Sequence, residues 1–85
     1  MRIAVVGCGY LGAVHAASMA HRGHEVVGID VDLARVEALS HGKAPFYEPG
    51  FDDLLTAMLA TGQLAFSAEV ADAARARAHF VRIGT

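Results

Sequence analysis

The chain has 85 residues, 54% of them hydrophobic, and its seven Lys and Arg against nine Asp and Glu give a formal net charge of -2. A chain of this size buries roughly 60 to 65% of the surface its unfolded form exposes, enough for one small core but not for an elaborate active site with its own substrate domain. The charge balance leaves no global basic footprint for nucleic acid or a membrane surface, and a single cysteine excludes an internal disulfide or a CxxC pair.

The mean hydropathy of +0.38, carried largely by alanine and valine, suits a buried parallel sheet covered by helices. Residues 2 to 6 (RIAVV) are an apolar, β-branched run ended by Gly7 and read as a buried strand. The run is too short for a signal-peptide core or a membrane span. No targeting or anchoring is therefore expected, and the reduced cytoplasm is the expected compartment.

From Tyr10 to Arg22 the pattern turns helical, with Gly12, Ala16 and Ala20 forming a stripe of small residues and Gly23 providing the stop. Glu25 to Asp30 is a second buried strand. Asp32 can cap a second helix that carries Val36 and Leu39 inward and ends near Gly42. The loop KAPFYEPG holds both prolines, with Pro49 expected in the first helical turn. Phe51, Leu54, Leu55, Met58 and Leu59 then mark an amphipathic helix, with Asp52 and Asp53 at its positive end, stopped by Gly62. Leu64 to Ser67 reads as a strand, Ala68 to Arg75 as a short helix, and Ala78 to Ile83 as a last strand.

Strands alternating with helices imply an α/β fold with right-handed crossovers: a partial Rossmann-like parallel sheet of about four strands in the order 3-2-1-4. A complete dinucleotide fold would run into two further strands beyond Thr85. Residues 1–85 are accordingly expected to be the N-terminal portion of such a domain, in truncated form.

Gly7, Gly9 and Gly12 fit G-x-G-x-x-G. The pattern gains weight because it leaves a strand, opens a helix, and is followed 18 residues after Gly12 by Asp30 at the end of the second strand. Gly7 would permit the tight turn, Gly9 the close approach of a pyrophosphate, and Gly12 the packing of helix on strand. The helix N-terminus would hold the phosphates. Asp30 would accept hydrogen bonds from the adenosine ribose and repel a 2′-phosphate, which favours NAD over NADP. A glycine turn without ligand and a capping aspartate are the plainer readings. Arg35 can reach the adenosine edge or stand as a solvated surface residue. Tyr10 and Leu11 would meet the cofactor through backbone groups, although Leu11 also suits a core.

Cys8 leaves two readings open. A helix N-terminus can activate a thiol, yet an adduct between two glycines that admit a pyrophosphate would obstruct the cofactor, which leaves Cys8 contributing its backbone. The five histidines fall on separate elements and give no metal-ligand pattern. Glu48, Asp52 and Asp53 could form a carboxylate pair, but acids at the start of a helix explain them more simply. No catalytic residue is assigned.

MRIAVVGCGYLGAVHAASMAHRGHEVVGIDVDLARVEAL, GKAPFYEPGFDDLL and the closing HFVRIGT together resemble the N-terminus of the UDP-glucose/GDP-mannose dehydrogenase family. The resemblance spans all 85 residues, and the aromatic FYEPG is most similar to the UDP-glucose 6-dehydrogenases, with GDP-mannose or another nucleotide-sugar dehydrogenase as the alternative. It implies an oxidoreductase that takes the sugar C6 alcohol to a carboxylate with two NAD, through a thiohemiacetal and a thioester on a cysteine. The family's NAD contacts map onto the Gly7 to Gly12 loop, Leu11, Asp30 and Arg35, with Thr85 in the loop that approaches the cofactor. Its catalytic cysteine, lysine and sugar-binding residues belong to later segments, so these 85 residues alone are expected to be inactive and to meet a nucleotide sugar only in the full-length protein.

Two features depart from the family. Arg82 lies between Val81 and Ile83 where the family's strand is apolar, and burying an unpaired arginine costs on the order of several kcal/mol. An unpaired sheet edge would also invite a homodimer. A non-catalytic nucleotide-binding or self-associating module is the reading from another class.

Overall fold

The computed structural model describes residues 2–7, 9–44, 46, 48–69 and 71, together with the backbone of 78–80. The chain runs β1 (Arg2–Val6), α1 (Tyr10–His21), β2 (Glu25–Ile29), α2 (Leu33–Ser40), α3 (Phe51–Thr61), β3 (Leu64–Ser67) and β4 (Ala78–Phe80). The helix expected over 68–75 and the strand residues 81–83, Arg82 among them, fall wholly or largely outside the described residues.

All pairings are parallel and the sheet order is β3-β2-β1-β4. Val6 stands opposite Ile29 and Ile29 opposite Ser67, so β1, β2 and β3 end level with one another. The loops that leave these carboxyl ends therefore meet at one rim. In open α/β sheets that rim is where ligands bind.

Alternation along the strands makes two faces. Ile3, Val5, Val26 and Leu64 join Ala13, Ala16, Ala17 and Ala20 of α1, Leu39 of α2, and Phe51 and Leu55 of α3 in the main core. Ala4 and Ile29, with Val6 and Val27, form a smaller cluster on the other face. An alanine methyl contributes only about 0.8 kcal/mol by burial against about 1.5 to 3 for a leucine or isoleucine. Close approach, rather than area per side chain, is thus what the small face of α1 supplies: it seats the helix, and the loop before it, tightly against β1.

The third helix starts differently from expectation. Gly50 is its N-cap at φ 81, ψ -10, and the Phe51 N–H donates to the Glu48 carbonyl at 3.0 Å. Glu48-Pro49-Gly50-Phe51 has the glycine geometry of a type II turn with proline at its second position. Pro49 therefore precedes the helix instead of lying in its first turn, because the left-handed glycine reverses the chain before helical geometry begins. Asp52 and Asp53 do occupy that first turn, and Gly62 caps the far end.

Candidate functional site: the rim between β1 and β2

Gly7 sits at φ 87, in a region that a side chain rarely tolerates. Its N–H still donates to the Ile29 carbonyl at 2.7 Å. The residue thus extends the β1–β2 pairing by one bond and then turns the chain away. Its carbonyl lies directly beneath α1, where a Cβ on Gly12 would be 2.0 Å from the Gly7 oxygen. The close packing foreseen for Gly12 is therefore a contact with the turn itself.

Gly9 has a different role. It is the N-cap of α1 in extended conformation, and its carbonyl accepts the Ala13 N–H at 2.9 Å. A Cβ built there meets nothing within 4 Å. No side chain caps α1 and its first turn carries no acid, so no side-chain cap competes for the N–H groups at that end. The first N–H groups of a helix have no partner within it, and the dipole makes that end positive. A pyrophosphate fits such a cradle.

Asp30 follows β2 directly, next to the glycine turn, with 8% of its surface exposed. Its backbone N–H donates to the Ser67 carbonyl at 3.1 Å. One carboxylate oxygen, Oδ1, accepts the Asp32 N–H at 2.9 Å, and the other, Oδ2, accepts from Arg35 Nη1 at 2.9 Å. Capping of α2 falls to Asp32, whose side chain accepts the Arg35 N–H at 3.2 Å. The plainer reading of Asp30 as a helix cap is thereby excluded. Arg35 is held to Asp30 by an ion pair, with its side chain 36% exposed, and is not a solvated bystander.

Tyr10 and Leu11 are exposed, which rules out Leu11 as a core residue. The Tyr10 hydroxyl donates to Glu48 Oε1. Its ring meets Phe46 edge-on at 4.9 Å and 77°, and Phe46 in turn contacts Phe51 at 5.5 Å. Glu48 is thus not simply an acid at the start of a helix: its carboxylate ties the aromatic loop to the N-terminus of α1. Acceptance from Tyr10 and the nearby negative charge raise the Tyr10 phenol above its ordinary 10.0. Asp52 is also engaged, accepting the Ala44 N–H at 3.2 Å. Sequence reasoning missed the Tyr10–Glu48 link, since a partner 38 residues away leaves no local pattern.

Of the residues assigned from sequence, Gly7, Gly9, Tyr10, Leu11, Gly12, Asp30 and Arg35 gather at this rim. Cys8 and Thr85 lie outside the described residues. Among the described residues no three of His, Cys, Asp and Glu converge as a metal site would require, and no helix is long and apolar enough to cross a membrane.

Residues 1–85 match the model of the UDP-glucose/GDP-mannose dehydrogenase family, NAD binding domain. The chain belongs to this family. NAD is the cofactor of the domain, and the glycine cradle and the neighbouring Asp30 fit its pyrophosphate and adenosine ribose.

The GDP-mannose 6-dehydrogenase of Pseudomonas syringae pv. tomato is 45% identical over 76 residues, 89% of this chain and 17% of that protein. The UDP-glucose 6-dehydrogenase of Pseudomonas aeruginosa is 40% identical over 86 residues, covering all of this chain and 19% of that protein. Among solved structures, a GDP-mannose dehydrogenase from Pseudomonas aeruginosa superposes with a TM-score of 0.93 at 38% identity, over 100% of this chain and 20% of its own. The chain thus spans about a fifth of the length of the relatives it matches.

Proposed function

We propose that this chain holds the adenosine and pyrophosphate portion of NAD for a nucleotide-sugar 6-dehydrogenase. The observation that carries the reading is the open space off Gly9 at the uncapped start of α1, beside the buried Asp30. In the full-length protein NAD supplies the hydride acceptor. These residues would bind and orient it: the α1 N–H groups receive the pyrophosphate, Gly12 keeps helix and turn in contact, and Asp30 accepts the ribose hydroxyls. By the family resemblance, Leu11 in the first turn of α1 and Thr85 complete the assignment.

Two sugars are supported by different observations. The FYEPG loop favours UDP-glucose. Higher identity to the GDP-mannose enzymes favours GDP-mannose. In either case we infer that the 85 residues alone oxidise no sugar, since the relatives that do so are about five times longer. A single cysteine, with no disulfide open to it within the chain, supports a cytoplasmic setting.

Isothermal titration of the purified chain with NAD is the direct test, run beside a Gly9→Val variant. Weak binding by the parent that the variant lacks is expected. Equal binding by both would overturn the cradle, and turnover of UDP-glucose or GDP-mannose by the chain would overturn the inactivity.

A further inference from the structure

Resting on that cofactor reading, we propose that Glu48 is a positioning residue for the pyrophosphate. Acting through the Tyr10 hydroxyl, it holds the first turn of α1 in place from outside the helix and so leaves that turn's N–H groups to the phosphates.

A capping side chain and a phosphate compete for the same groups. The usual serine or aspartate cap fixes a helix start by accepting its second or third N–H, and those are among the donors a phosphate bound at that end requires. Here Gly9 stands at the N-cap and no side chain caps the helix. A helix start held by nothing frays, and a ligand that binds it must order it first, at a cost in affinity.

Tyr10, the first residue of α1, supplies another hold. Its hydroxyl donates to Glu48 Oε1, and its ring meets Phe46 edge-on. Phe46 contacts Phe51 in turn, and Phe51 is 4% exposed and part of the main core, so this line of contacts ends in a fixed anchor. Both holds are made by the Tyr10 side chain, and neither occupies a backbone N–H of the turn. With 46% of its surface exposed, Tyr10 is not placed by burial, which leaves its position to these two contacts.

Substitution separates the hydrogen bond from the ring contact. Tyr10→Phe keeps the ring and removes the hydroxyl. Glu48→Ala removes the acceptor, while Glu48→Gln keeps an acceptor oxygen and removes the charge. The Glu48 carbonyl that accepts the Phe51 N–H belongs to the backbone, so the turn before α3 survives either change at Glu48. Circular dichroism of each variant establishes that the fold persists.

The test is NMR titration of the 85-residue chain with NAD, inorganic pyrophosphate and adenosine, for the parent, Tyr10→Phe, Glu48→Ala, Glu48→Gln and the double variant Tyr10→Phe/Glu48→Ala. Loss of one hydrogen bond of ordinary net strength should lower affinity for NAD and for pyrophosphate about fivefold in Tyr10→Phe and in Glu48→Ala. The double variant should lose no more than either single change, because both remove the same link. Glu48→Gln should stay within about twofold of the parent, since its amide oxygen still accepts the hydroxyl. Adenosine, which carries no phosphate, should bind all five chains alike. Folded Tyr10→Phe and Glu48→Ala chains with undiminished affinity for NAD and pyrophosphate would overturn the proposal. So would a gain in affinity in both Glu48→Ala and Glu48→Gln, because Glu48 would then act as a charge that repels the phosphates. Losses as large for adenosine as for pyrophosphate would also overturn it, by showing that the link serves the fold at large. A parent chain that holds neither NAD nor pyrophosphate sinks the cofactor reading and this inference with it, a result distinct from the other three.

Discussion

The carbonyl oxygen of Gly7 occupies the place a side chain on Gly12 would need, with only 2.0 Å between that oxygen and a Cβ built on Gly12. Two glycines five residues apart are thus one contact. Backbone cannot swing aside as a long side chain can, so the turn or the helix must move.

Gly12→Ala should therefore destabilise the fold by at least about 3 kcal/mol, toward the upper end of overpacking effects. Gly9→Ala provides the contrast. Its Cβ would meet nothing within 4 Å, and its φ of -67 is one any residue adopts, so only the weaker N-cap preference of alanine is lost, within about 1 kcal/mol. Urea unfolding followed by NAD titration separates the two. Gly12→Ala should lose stability first, and Gly9→Ala should lose NAD affinity while staying folded.

Alkaline titration tests the link between the aromatic loop and α1. With its hydroxyl donated to Glu48, the Tyr10 phenol is held protonated beyond its ordinary 10.0. A folded value raised above the unfolded one makes a contribution that is complete below pH 10 and is lost as pH climbs through the folded value. Absorbance at alkaline pH should show one tyrosine ionising late, and Glu48→Gln should bring that step down. No change in Glu48→Gln would mean that the link is absent in solution.

The parts of the site that sequence made legible are those coded locally. G-x-G-x-x-G, the strand before it and Asp30 after β2 are set by spacing within one βαβ unit, and so are the caps at Asp32 and Gly62. The rest depends on contacts made by folding. The Tyr10–Glu48 bond joins residues 38 apart, and nothing near Arg35 in the sequence announces that its guanidinium points back to a carboxylate across the helix start. Pro49 stands one step before the helix for a related reason: the left-handed Gly50 that sets the start of α3 competes with proline's own preference for a first helical turn.

Leu55 measures how far α3 contributes to the core. It is fully buried among Ile3, Val26 and Leu64 of the sheet layer and the alanines of α1. Leu55→Ala should cost about 2 to 5 kcal/mol, a large share of the stability of so small a domain. Chemical denaturation gives the number, and a loss below about 1 kcal/mol would show that α3 packs more loosely than its burial indicates.

Asp32 and Asp30 lie two residues apart and do separable work. Asp32 accepts the Arg35 backbone N–H as the cap of α2, while Asp30 accepts the Asp32 backbone N–H and holds the Arg35 side chain. Asp32→Ala removes the cap alone, because the N–H that Asp30 accepts belongs to the backbone and survives the change. The expected loss is about 1 kcal/mol of stability, with the preference for NAD over NADP unchanged. Denaturant midpoints and paired titrations read both quantities on one sample. If Asp32→Ala altered the choice of dinucleotide as strongly as Asp30→Ser, the cap and the carboxylate would be acting as one unit, and the separation of roles at this rim would fail.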